Sequence, residues 1–130
     1  MTPAGAAADD RTLRAARVVE AALSRKAEDL VALDVRALTS FADTFVLATG
    51  ASDRQVRAIA DSVREAFEAA GGRVLGVEGL EEARWVLLDL GDVIVHVFQP
   101  EVRRYYDLDR LWSDAPPIDL EAASRRRVER

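Results

Sequence analysis

Trp85-Val86-Leu87-Leu88-Asp89, Leu90-Gly91-Asp92 and Val93-Ile94-Val95-His96-Val97-Phe98 form the stretch that decides the fold. Two runs of strand length, rich in Val, Leu, Ile and aromatic residues, flank a tight turn that contains Gly. That pattern reads as a β-hairpin. In the second run both alternating sets, Val93/Val95/Val97 and Ile94/His96/Phe98, are largely apolar. A strand with two apolar faces is covered on both sides and lies in the interior of a sheet. Pro100 suits the first turn of a short helix reaching about Tyr106. Leu108, Leu111 and Trp112 are then expected to pack back on the sheet. Both Trp, both Tyr and the only His fall within residues 85–112. The hairpin therefore feeds an exposed aromatic and charged helix.

Upstream, Ser52-Asp53-Arg54-Gln55 matches a capping box, Ser with Gln three residues later. Val56, Ile59, Ala60, Val63, Ala66, Phe67 and Ala70 follow at helical spacing, and Gly71-Gly72 supplies the permissive residue of a helix C-terminus. Leu30–Val35 and Phe45–Thr49 are nearly continuous apolar runs of strand length, joined by a connection over Ala37–Asp43. Asp9 and Asp10 precede Leu13, Ala16, Val19 and Leu23, a helix with acidic residues at its positive end. Arg73–Val77 reads as a strand, followed by an acidic loop with Glu78, Glu81 and Glu82. The predicted order is α-β-β-α-β-β-β-α, a single α/β domain with a mixed five-stranded sheet flanked by helices. Only the connection from Thr49 to Arg73 is long enough for a parallel crossover through a helix. Residues 1–8 read as a disordered tail, 9–115 as the folded domain, and 116–130, opened by Pro116-Pro117, as a disordered charged tail.

Composition narrows the function. A chain of 130 residues is one domain, large enough to bury roughly two thirds of its unfolded surface. With no Cys and one His, disulfides, thiolate metal sites and multi-His metal sites are excluded. No apolar run has the length of a membrane span and the N-terminus has no signal-peptide pattern, so a cytoplasmic protein is expected. The formal charge is −5; residues 120–130 carry four Arg and two Glu, which leaves −7 on residues 1–119. An acidic body disfavours DNA or another nucleic acid as direct ligand and favours a basic protein partner.

The segments LDVRALTSFADTFVLATGASDRQVRAIAD, VEG, WVLLDLGDVIVHVF and RRYYDLDRLW together resemble the ribosomal silencing factors, the Iojap-like family, over roughly residues 12–114. The blocks stand in family order and spacing. The resemblance implies a nucleotidyltransferase-like fold without transferase activity and without a cofactor. It implies binding to the large ribosomal subunit through ribosomal protein uL14, which blocks joining of the small subunit and represses translation when nutrients are scarce. Members of the family are often dimeric when free, so a homodimer is a further expectation of the resemblance.

Each candidate residue has a functional and a structural reading. The expected partner surface combines Glu78, Asp89 and Glu101 for charge complementarity, Trp85 and Tyr106 as anchors, and Arg103 and Arg104 to orient the carboxylates. His96, mid-strand with no nucleophile near it in sequence, reads as a buried structural histidine. Ser52 reads as a helix cap and Trp112 as core. The alternative reading is a nucleotide- or small-molecule-binding enzyme of the same fold, using a cleft near Gly50 and Ser52. Its carboxylate pair would be Asp107 and Asp109, which has the Asp-x-Asp spacing but lies between helical segments rather than on a strand.

Overall fold

The computed structural model describes residues 14–119. Residues 14–23 are helical (α1). There follow β1 (Glu28–Asp34), β2 (Thr44–Thr49), α2 (Asp53–Ala69), β3 (Gly76–Glu78), β4 (Trp85–Asp89), β5 (Val93–Phe98), α3 (Pro100–Tyr106) and a one-turn helix, α4 (Leu108–Leu111). The strands form one sheet in the order β1-β2-β5-β4-β3. This is the expected mixed α/β architecture.

β5 sits at the middle of that sheet because it has no polar face. It pairs in parallel with β2, Val95 opposite Val46, and antiparallel with β4, Val95 opposite Leu88. Val93, Val95 and Val97 point to the side covered by α1 and α2, where they join Val46, Ala48, Val86 and Leu88 in one core. Ile94 and Phe98 point to the other side, with Phe45, Leu47, Val102 and Leu108. The hairpin turn places Gly91 at φ +97°, where a side chain would be strained. Asp89 Oδ1 accepts from the Gly91 amide at 2.9 Å, and the Asp92 carbonyl accepts from the amides of Asp43 and Thr44. The turn therefore also fixes where β2 begins.

α2 starts as its sequence dictates: Ser52 Oγ accepts from the Gln55 amide at 3.2 Å. The return bond of the capping box is shifted by one residue, since Gln55 Oε1 accepts from Ala51 N. Gln55 Nε2 meanwhile donates to the carbonyls of Arg25 and Lys26, tying the end of α1 to the start of α2. At the other end the Gly72 amide donates to Phe67 O and the Gly71 amide to Glu68 O, a Schellman motif with Gly71 at φ +90°. Val56, Ile59, Ala60 and Val63 are its buried stripe. No helix among the described residues is long and apolar enough to cross a membrane.

Four expectations are corrected. Ala16 and Val19 are buried as expected, together with Ala15, Val18 and Ala22, but Leu23 is exposed, because the helix ends there and the chain turns at Lys26 (φ 63°). The third strand is only Gly76–Glu78, and Leu75 before it is exposed; β3 is a sheet edge and pairs only with Leu87–Asp89. Leu111 does not pack back, because a one-turn helix buries only one side, here that of Leu108. Order does not end at Pro116-Pro117. Pro116 O accepts from the Asp34 amide, the Ile118 amide donates to Ala32 O, and Pro117 bridges Leu33. Proline cannot donate but its carbonyl can accept, which suits it to an edge, and here it covers β1. The tails expected at 1–8 and beyond 119, and the acidic start of α1, lie outside the described residues.

Val95 is fully buried between two strands. Val95→Asp is expected to destabilise the domain by about 3–5 kcal/mol, since it buries a charge without a partner. A thermal melt of the variant within a degree or two of the parent would contradict the interior placement of β5.

Candidate docking site

The two faces of the sheet are covered unequally. α1 and α2 blanket one. On the other, α3, α4 and the following turn cover only part of β1, β2 and β5, and leave the β4 side open. Side-chain alternation puts Trp85, Leu87 and Asp89 on this open face, beside Phe45, Leu47, Ile94, His96 and Phe98. Val77 packs into the core on the helical side, so its neighbour Glu78, opposite Leu87, faces the open side.

An aromatic chain runs across this face. Phe45 contacts Phe41 at 6.4 Å, His96 at 5.1 Å and Trp112 at 4.7 Å between ring centroids. Trp85 contacts Phe98 at 5.9 Å and Tyr106 at 5.5 Å, and Tyr106 meets Tyr105 edge to face. Between them lies a groove of about 360 Å³ walled by Phe41, Leu87, Leu108, Leu111 and Trp112 and floored by His96. A second hollow of about 530 Å³ lies on the other side of Trp85, lined by Glu82, Arg84, Glu101, Tyr105 and Tyr106. Tyr105 is 81% exposed, Phe41 68%, Leu111 66% and Tyr106 55%. Large apolar groups this exposed and this close together mark an interaction surface, whereas scattered ones would not.

His96 is held as a neutral ring. The Trp85 indole N–H donates to His96 Nδ1 at 3.2 Å, so the remaining proton sits on Nε2. Nε2 is buried with no hydrogen-bond partner among the described residues. Burial pushes the pKa of His96 down to about 4. This histidine lies between Trp85 and Phe45, in ring contact with both.

The residues expected at a partner surface are distributed as follows. Glu78, Trp85, Asp89, Glu101 and Tyr106 lie on the open face or its rim, and Arg104 is exposed on α3. Arg103 is turned inward and only 9% exposed, because its guanidinium is taken up by Asp109, Asp29 O and Thr49. Ser52 caps α2, and Trp112 is half-buried against Phe45. The acidic loop is more than a solvated turn. Arg57 donates to the carbonyls of Leu80 and Glu81. Gly79 (φ +88°) lies so close to β4 that a Cβ there would clash with Trp85 O. The sequence reading missed the groove wall at Phe41 and Leu111. The available signal was a Phe within a polar connection and a Leu out of phase with the buried stripe.

The geometry offers little to the enzymatic alternative. Asp109 is engaged by Arg103, Asp92 by Arg14, and Asp89 by the Gly91 amide. Packing alone accounts for Gly50, since a Cβ there would lie 2.9 Å from Val56 Cγ2. Among the described residues no three His, Cys, Asp or Glu side chains converge to hold a metal.

The fold and this face define a small α/β protein with one sheet face closed by helices and the other left partly open and aromatic. Comparison with known proteins is specific. The family described as "Ribosomal silencing factor during starvation" matches residues 8–130. Ribosomal silencing factor RsfS of Bacillus subtilis is 48% identical over 97 residues, 75% of this chain and 82% of that protein. The chloroplastic protein Iojap of Zea mays is 34% identical over 86% of this chain and 49% of that protein. A crystal structure of a Chromobacterium violaceum protein superposes with a TM-score of 0.72 at 46% identity, covering 74% of this chain and 80% of that one. The chain belongs to the ribosomal silencing factor (Iojap) family, whose members are non-enzymatic.

The His96 geometry predicts a pH dependence. Its pKa is lowered to about 4 in the folded protein, whereas an unfolded chain titrates near 6.5. Above about pH 6.5 both states are neutral and the group is silent. As pH falls from there towards 4, only the unfolded state takes up the proton, so stability drops by up to about 1.4 kcal/mol per pH unit. His96→Leu should flatten the acid limb of melting temperature against pH by about one proton's worth of slope. Parallel acid limbs for parent and variant would contradict the buried neutral histidine.

Proposed function

We propose that this protein represses translation by steric occlusion, binding the large ribosomal subunit through ribosomal protein uL14 with its open sheet face. The small subunit then cannot join. The observation that supports this reading is the exposed cluster of Phe41, Tyr105, Tyr106 and Leu111 around Trp85. Glu78, Glu82 and Glu101 stand at its rim, on a chain of net charge −5. An apolar centre with an acidic rim suits a basic protein: the charges steer encounter and set register, and the aromatic groups supply most of the affinity. Occlusion needs only position and affinity, which fits a family without catalysis. The place of action would be the cytoplasm, and the occasion nutrient limitation.

Cosedimentation with purified large subunits, followed by a subunit-joining assay, tests the reading. Tyr106→Ala should speed dissociation, at a cost on the order of 1–3 kcal/mol. Glu101→Lys should slow association and weaken its dependence on salt. If both variants keep the parent's melting temperature and still block joining as well as the parent, the open face is not the docking surface.

A further inference from the structure

Arg103 is the most highly coordinated charged side chain among the hydrogen bonds of the described residues, and docking as proposed above makes no direct use of it. Its Nη1 donates to Asp29 O and to Thr49 Oγ1, both at 2.8 Å. Its Nε and Nη2 donate to the two carboxylate oxygens of Asp109 at 3.0 and 2.8 Å. The guanidinium carbon lies 5.5 Å from the centre of the Phe98 ring. One side chain of α3 thus grips β1, β2 and α4 while resting on β5.

The surroundings are shaped to receive it. Asp29 has φ +50°, at the point where the pairing of β1 with β2 slips between Glu28 and Val31. A non-glycine residue in the left-handed region is a cost the fold must offset, and here the Asp29 carbonyl meets a buried cation. Thr49 is 2% exposed and Asp109 stands at the first turn of α4. The hydrogen bonds from Arg103 hold the Asp109 carboxyl below the usual range. The α3–α4 unit needs such a restraint. α3 has seven residues and α4 four, and they meet at Asp107 with φ +50°. Helices this short do not persist in isolation. Their apolar hold on the sheet rests on Val102 and Leu108. Yet this unit and the residue after it carry Tyr105, Tyr106, Leu111 and Trp112, one whole wall of the docking face.

We infer that Arg103 is a positioning residue for docking, a clamp that locks the α3–α4 unit against β1 and β2 so that its aromatic wall is set before the partner arrives. The inference rests on the docking reading above. It gives that reading a conformational requirement: only molecules with the clamp closed are competent. When the competent fraction falls, apparent affinity falls in proportion. The loss appears in association, because the complex once formed has the clamp closed.

Two variants, Thr49→Val and Asp109→Asn, test this. Arg103→Met removes the clamp but risks the fold. Thr49→Val and Asp109→Asn each weaken one end and leave the rest. In the free protein, hydrogen exchange at amides of residues 104–112 should rise in Thr49→Val and Asp109→Asn, while β5 amides stay protected. Against purified large subunits, both should associate on the order of three- to tenfold more slowly, with dissociation within about twofold of the parent. A merely structural role would leave exchange at 104–112 and the association rate unchanged at a temperature where the variants are folded, and that result overturns the clamp. A loss confined to faster dissociation also overturns it, since Arg103 would then act at the contact itself. If the parent fails to bind large subunits, the docking reading falls, and the positioning role falls with it; the exchange data then show only whether Arg103 fixes the wall in the free protein.

Discussion

The pairing of β5 with β2 on one side and β4 on the other is the constraint on which the rest depends. β5 has no polar face, so it must have a strand on each edge and cover on each surface. One edge is filled locally by the hairpin with β4. The other is filled by β2, in parallel, and a parallel neighbour requires a long crossover. α2 begins that crossover and β3 and β4 complete it. The bond from the Asp92 carbonyl to the start of β2 joins the local and the distant pairing at one point. The strand residues of the open face take their places from this register.

The second constraint is the uneven cover of the sheet. α2 is seventeen residues long with a continuous apolar stripe, and with α1 it closes its side of the sheet. The opposite side receives only two short helices and a turn. The hydrophobic residues of β4 and β5 on that side cannot all be buried by so little chain. What remains is a groove with aromatic walls, a neutral His96 beneath it, and carboxylates at its margin. A surface left apolar at this scale has value only when something else covers it.

Charge is used in two ways. At the rim it is solvated and acts at long range, and each exposed pair adds little to stability. At Arg103 it is buried and paired, where breaking one contact leaves a cation without compensation. Arg103 shares α3 with Glu101 and Arg104, and nothing in composition separates them. Three of the residues expected on that helix surface, Glu101, Arg104 and Tyr106, are there; the fourth points inward.

The sequence by itself determined the hairpin, the interior position of β5, the capped helix α2 and the short helix opened by Pro100. Each is specified by periodicity or by a residue type whose conformational preference is local. Its block resemblance also identified the family. It did not determine which strand lies beside β5 on the far edge, nor that residues 116–118 run along β1, because proline reports what a chain cannot donate and says nothing of what its carbonyl accepts. Phe41, Leu111 and Arg103 show the same limit. Whether a side chain is a wall, a rim or a clamp depends on which distant elements surround it. Two partners of Arg103, Asp29 on β1 and Thr49 on β2, lie far along the chain. Only tertiary packing, which brings those strands beneath α3, decided that one arginine of a charged helix is a structural fixture and its neighbour is free to meet solvent.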